Sequence, residues 1–230
     1  MASVRLGDYI TGPVEGQLAE TVYGAVEEFE LRDFLAAWDQ FHQAALAGMP
    51  ERIHPSAFVH PSAIIGDDVI IGPGVKVHEF STVRKGTVLC AGVSVGFNCE
   101  VTRSFLGEGT VLGHRIGVNS SIIGARAHLS ANVTLAAISM WCADMRKPDK
   151  EVFFRVPGGL YRCGTPTFGA LVGDGVQTGN GISLGPGVAL GKGCRVSGGV
   201  IVAARAVPTA SVVSMPHVSA VRVRLSRRCA

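Results

Sequence analysis

An apolar residue returns at every sixth position from Ile53 to Val101, through Val59, Ile65, Ile71, Val77, Val83, Leu89 and Val95. Four residues after most of these stands a second small or branched side chain: Ala57, Ala63, Val69, Val75, Ser81, Thr87, Val93 and Cys99. Glycine often follows the register residue, as in Ile65-Gly66 and Ile71-Gly72. A period of six matches neither the 3.6-residue turn of a helix nor the two-residue alternation of a flat strand. It matches a parallel β-helix of hexapeptide units, each one short strand and one turn. Three units close a triangular coil, so each residue stacks on the one three units further along. Register residues then fill the axis and the polar residues between them face outward.

The register continues through Leu106, Leu112, Val118, Ile123, Leu129 and Leu135, with two steps of five residues, after Val101 and after Val118. After a break it resumes at Val172, Thr178, Leu184, Leu190, Val196 and Val202, with Val176, Ile182, Val188, Cys194 and Val200 at the partner positions. This makes about seven coils, each rising ~4.8 Å. The β-helix domain spans 53–216 and carries an inserted loop at 136–168. Inside the insertion, Val152–Val156, the turn Pro157-Gly158-Gly159 and Leu160–Arg162 read as a hairpin. The run Met140–Asp149 before it mixes apolar and charged residues and reads as a projecting loop, for binding or for packing on a neighbouring subunit.

Residues 1–52 precede the prism. Val4 and Leu6 alternate ahead of Tyr9 and Ile10 and predict a short strand before Gly12-Pro13. Over 30–48, Leu31, Phe34, Leu35, Trp38, Phe41, Ala45 and Leu46 recur at helical spacing, with Asp33, Asp39 and Gln40 opposite. Gly48 and Pro50 stop this helix, which packs beside the first coils. Residues 217–230 form a basic tail with Arg222, Arg224, Arg227 and Arg228, the main source of the net charge of +3. A solvated terminal cluster explains it without nucleic acid.

The 47% hydrophobic content supports a continuous core, and the thirty glycines suit corners that need positive φ. None of the six cysteines forms a CxxC pair, and Cys99 and Cys194 fall at interior positions, so they read as small hydrophobes in a reducing compartment. Neither a signal peptide nor a membrane-length apolar run is present, which predicts a cytoplasmic protein with no membrane partner. His60 and His78 stack on adjacent rungs with no third ligand in register, which predicts no metal. The repeat by itself suits a scaffold as well as an enzyme.

The stretch Val95-Gly96-Phe97-Asn98-Cys99-Glu100-Val101-Thr102-Arg103-Ser104, followed by Leu112-Gly113-His114, is more specific than the repeat. It resembles the acetyltransferase half of bifunctional glucosamine-1-phosphate acetyltransferase/uridylyltransferases, without a gap from Val95 to Ile123-Gly124. The run Phe168–Gly179, the inserted hairpin and the helix Leu31–Phe41 resemble archaeal-type sugar-1-phosphate nucleotidylyltransferases. The likeness covers roughly residues 30–215 and leaves out any nucleotidyltransferase domain. It implies a left-handed β-helix, a homotrimer with sites between subunits, and hexapeptide-repeat acyltransferase activity with acetyl-CoA or another acyl-CoA as co-substrate.

In such enzymes the His of the Gly-His pair is the general base, and His114 occupies that place. An imidazole that titrates near neutrality suits deprotonation of an attacking amine. Arg84 matches a phosphate-binding arginine and Glu100 an acidic residue beside the same pocket. Thr102 stands where the family has Lys, with Arg103 beside it, and Asn119 joins them on the substrate side. His128 replaces an Asn and rivals His114 as the base, and Gly117 replaces a Tyr. Ser130, Ala131 and Asn132 replace the Gly-Ala-Gly segment that approaches the thioester. Lys192 completes the cofactor side, while a family Arg that meets coenzyme A is here Met215. The implied activity is N-acylation of an amino-sugar phosphate, nucleotide sugar or related small metabolite. A scaffold that assembles with a separate sugar nucleotidyltransferase, or a β-helix trimer recruited for other chemistry, is the alternative.

Overall fold

In the computed structural model, which describes residues 3–216, the units wind into a three-sided prism whose faces are parallel sheets of eight, seven and seven strands. Face one stacks Phe58–Val59, Lys76–Val77, Ser94–Val95, Val111–Leu112 and His128–Leu129, then continues beyond the insertion from Gln177–Thr178 to Val212–Val213. Face two begins at Ile64–Ile65 and includes Thr82–Arg84, Glu100–Thr102 and Gly117–Asn119. Face three runs from Ile70–Ile71 to Ala206–Val207. Every coil pairs in parallel with the next, as Val77 with Val95 and Val95 with Leu112.

The axis holds the predicted register. Val95 and Val200 are buried with the other register and partner residues in one continuous cluster from Val69 to Val207. The coil shortens where Leu89 pairs with Leu106 and Leu106 with Ile123, the two predicted short steps. A third short step, from Val202 to Val207, carries the repeat on to Val213.

Buried hydroxyls hold the first two of these corners. Thr87 donates to the Arg84 carbonyl at 2.7 Å, three residues back in a full-length turn, whereas Ser104 donates to the Thr102 carbonyl at 2.8 Å, two residues back. Ser104 Oγ then accepts the Ser121 N–H at 3.1 Å, and Ser121 Oγ accepts the Ala170 N–H at 3.1 Å. The hydroxyl closes the backbone bonds that the missing residue would have made.

Face three has a second layer. Its outward residues Ile70, Val88, Phe105, Ile122, Leu171 and Ala189 are buried beneath the N-terminal segment, the helix and the hairpin. The helix α1, Leu31–Gly48, starts where the Glu30 carboxylate accepts the Arg32 N–H and buries Leu31, Phe34, Trp38, His42 and Ala45 at helical spacing. Tyr23 stacks on Phe105 at 5.7 Å and meets Phe34 and Trp38 edge-on. The hairpin, Phe153–Val156 with Gly159–Arg162, has the predicted Pro157-Gly158 turn, with Gly158 at φ 82°. Phe154 and Tyr161 are buried, and the Tyr161 hydroxyl accepts the Arg32 N–H at 2.8 Å. The hairpin therefore packs down onto face three. The loop before it leaves Met140, Trp141 and Met145 exposed, and the outer side of the hairpin exposes Phe153 and Leu160.

The predicted strand around Val4–Ile10 does not form. Leu6–Asp8 is a short 3₁₀ helix, and Arg5 makes one isolated antiparallel bridge, to Glu30. The segment lies across the outer side of face three with no sheet edge to extend, so its backbone closes locally, with Tyr9 and Ile10 N–H both donating to Leu6 O. The basic tail, residues 217–230, lies outside the described residues.

Candidate functional site

The turns from face one to face two stack as a corner column, and Gly113-His114 sits in its fourth turn. Gly96 lies directly below, where a Cβ would overlap the Gly113 carbonyl oxygen. Arg115 N–H donates to Phe97 O at 2.9 Å, and His114 O accepts the Asn132 N–H at 2.9 Å, which fixes the backbone on both sides. The Cys99 thiol donates to Gly113 O at 3.6 Å, and burial pushes this thiol above its ordinary value. At neutral pH Cys99 is a protonated support beneath His114. His114 itself is exposed.

Beside this corner, face two carries a depression lined by Phe80, Thr82, Arg84, Asn98, Cys99, Glu100, Arg115, Ile116 and Gly117. Arg84 pairs with Glu100 across adjacent rungs. Arg84, Thr102 and Asn119 stand opposite one another on three successive strands, so they share one outer column. Thr102 is nearly buried there, and Asn119 Oδ1 accepts from the Ser120 hydroxyl at 3.0 Å. A Cβ added to Gly117 would meet only Thr134 Cγ2, at 3.9 Å, so this position leaves the depression open.

The remaining candidates lie elsewhere. His128 is exposed on face one, outside the depression, paired in register with Val111 and Gln177. Arg103 turns to the corner between faces two and three, where it bonds Asp39 of α1 at 2.6 Å. Ser130, Ala131 and Asn132 form the turn above His114. Ser130 N–H donates to Thr178 Oγ1 at 3.0 Å, Ala131 N–H to Asn180 Oδ1 at 3.1 Å, and Asn132 Oδ1 accepts from Arg115 Nε at 2.9 Å. Lys192 is on the opposite edge of face one, 3.5 Å from Asp174. That carboxylate also takes the N–H of Ala125 and both the N–H and hydroxyl of Thr11, so it clamps the N-terminal segment to the prism. Met215 is exposed beyond the last strand.

Among the described residues, no group of three His, Cys, Asp or Glu side chains could hold a metal ion, and no helix is long and apolar enough to cross a membrane. His60 Nε2 lies 3.8 Å from Glu79, and both His60 and His78 lean on Phe58.

A family profile described as the GMPPB C-terminal domain matches residues 49–150, under half of the chain. No curated protein matches the chain. The chain carries a hexapeptide-repeat β-helix. Among solved structures it is similar to a mutant of perosamine N-acetyltransferase from Caulobacter crescentus in complex with CoA and GDP-perosamine. Identity is 17% over 72% of this chain and 60% of that one, with a TM-score of 0.34. A mutant of AntD, an N-acyltransferase from Bacillus cereus in complex with dTDP-4-amino-4,6-dideoxyglucose and coenzyme A, shares 13% identity. That likeness covers 71% of this chain and 79% of that one, with a TM-score of 0.42. A hexapeptide transferase family protein from Anaplasma phagocytophilum shares 19%, over 66% and 74%, with a TM-score of 0.38. This chain thus spans about three fifths of the Caulobacter enzyme's length. At these values they are likenesses of the coil and no more.

Phe80 and Arg115 join the depression without having stood among the residues expected from the sequence. Both occupy the third position after a face-one register residue, as do Asn98 and Asn132, and all four have positive φ. The register contains that signal: on four successive coils this turn position holds an exposed side chain at the corner of face two.

Proposed function

We propose that the protein is an N-acyltransferase that uses an acyl-CoA, with acetyl-CoA the first choice, to acylate an amino group of a phosphorylated or nucleotide-linked sugar. What carries the reading is the juxtaposition of an exposed His114, on a turn locked from both sides, with a depression that holds Arg84, Glu100 and Arg115. The imidazole of His114 takes a proton from the acceptor amine as its nitrogen attacks the thioester carbonyl. The C–N bond forms, the C–S bond breaks, and the coenzyme A thiolate leaves. Arg84 and Arg115 hold acceptor phosphate. The N–H groups of Ser130 and Ala131 are already engaged, which leaves the Ser130 hydroxyl and the Asn132 amide NH₂ as the groups available to the thioester.

The test measures thiol release from acetyl-CoA with glucosamine 1-phosphate and with amino sugars linked to UDP, GDP or dTDP. His114→Ala is expected to keep the fold and lower turnover by roughly a hundredfold or more, and to remove the rate's dependence on an ionisation near neutrality. His128→Ala should leave that dependence in place. Arg84→Ala should raise KM for phosphate-bearing acceptors while kcat changes less. Wild-type rates in both histidine variants would overturn general-base catalysis from this corner.

A further inference from the structure

We infer that the acceptor is a nucleotide-linked amino sugar, with its base on Phe80 and its diphosphate between Arg84 and Arg115. This inference deepens the acyltransferase reading and rests on it.

Phe80 is the starting point. Its φ of 58° lies in the left-handed region, unfavourable for a bulky aromatic residue. The equivalent turn positions hold Asn98 and Asn132, which adopt that conformation readily, at φ 53° and 59°. Folding gains little in return, because the Phe80 ring is 63% exposed. Its one aromatic neighbour, Phe97, meets it edge-on at 5.8 Å and 87°, which sets the ring's orientation and leaves a face to stack on. A flat π-system on this corner is a platform for a heterocycle.

The depression beside it supplies the matching charge. It contains two guanidinium groups, Arg84 and Arg115, and one carboxylate, Glu100. The side chains of the Arg84–Glu100 pair are 48% and 56% exposed, so solvent screens the pair and a phosphate can replace the carboxylate at small cost. Arg115 is braced through Nε by Asn132, which leaves its terminal nitrogens to donate. From Phe80 to Arg115 is two rungs, a span of about 10 Å. A nucleoside diphosphate covers that length and a sugar phosphate alone does not. The sugar then falls beside His114, the neighbour of Arg115 in the same turn, above the space left by Gly117.

The experiment is calorimetric titration, without acyl donor, of UDP, GDP, dTDP and inorganic pyrophosphate into the wild type, Phe80→Asn and Arg115→Ala. Phe80→Asn should fold, since Asn already occupies the same turn position on other coils. We expect at least one nucleoside diphosphate to bind the wild type about tenfold more tightly than pyrophosphate, and Phe80→Asn to erase that difference while leaving pyrophosphate unchanged. Arg115→Ala should weaken both. Equal binding of nucleotide and pyrophosphate overturns the inference, as does undiminished nucleotide binding by a Phe80→Asn protein of altered oligomeric mass, which would make Phe80 an interface residue. A chain that acylates glucosamine 1-phosphate yet binds no nucleoside diphosphate overturns this inference and leaves acyl transfer standing.

Discussion

Gly96 and Gly117 lie on the same part of the prism and face opposite constraints. A side chain at Gly96 has nowhere to go, because the Gly113 backbone below His114 occupies its place. Gly96→Ala should therefore cost about 3 kcal/mol in urea unfolding and displace the His114 turn. Gly117→Ala, with open space above it, should stay within about 0.5 kcal/mol. His42 is a different kind of residue-scale feature. Buried on α1, its Nε2–H donates to the Asp68 carbonyl at 2.6 Å and its Nδ1 accepts from the Tyr23 hydroxyl at 2.8 Å, which together set a neutral tautomer. Burial holds its pKa below the ordinary value of 6.5. Between the folded and unfolded values the unfolded chain binds the extra proton, so stability rises with pH there. The contribution is complete above about pH 6.5 and is lost as pH falls through the lowered folded value. His42→Phe should flatten the fall in Tm between pH 7.5 and 5 relative to the wild type, and an unchanged slope would assign the acid sensitivity to other groups.

At the scale of elements, the short turns depend on hydroxyls more than on apolar contacts. Ser104 and Ser121 each donate to a carbonyl of their own turn and accept an N–H from the next coil. Replacing Ser121 with Ala would leave the Ala170 N–H and the Asn119 carbonyl short of a partner in a buried corner. The expected loss is about 1–3 kcal/mol, read as a lower urea midpoint with an unchanged m-value. Val95→Asp, which places a carboxylate on the axis itself, should cost several kcal/mol and give little soluble protein. Normal melting of that variant would mean that Val95 does not face the axis.

On the scale of the whole molecule, the three faces are unequal. Face three is sealed by the chain's own helix, hairpin and N-terminal segment. Faces one and two leave Phe58, Ile64, Ile201 and Val212 exposed. Apolar side chains spread along two bare sheets suit burial against other copies of the chain. We predict a homotrimer whose subunits meet around Gly113–His128, with light scattering giving three times the chain mass at micromolar concentration. A strictly monomeric mass would remove the neighbour from the proposed site.

The repeat is legible in the sequence because burial on the axis imposes the same apolar demand once per strand. Val95, Leu112 and Leu129 declare themselves by spacing, and so do the short steps after Val101 and Val118. The stripe from Leu31 to Ala45 marks α1 for the same reason at another period. What the sequence could not determine is set by contacts between segments far apart along the chain. Nothing near Arg103 indicates that Asp39, 64 residues earlier, holds it away from the depression. Nor does Lys192 reveal its pairing with Asp174, or Tyr23 that it meets both His42 and Phe105. The N-terminal strand fails because alternation alone supplies no sheet edge to pair with. Phe80 does not stand out because a turn that favours Asn or Gly gives no reason to expect an aromatic ring there. Periodicity fixes which residues face the axis, whereas the winding of the coils and the docking of the outer layer decide which outward residues become neighbours.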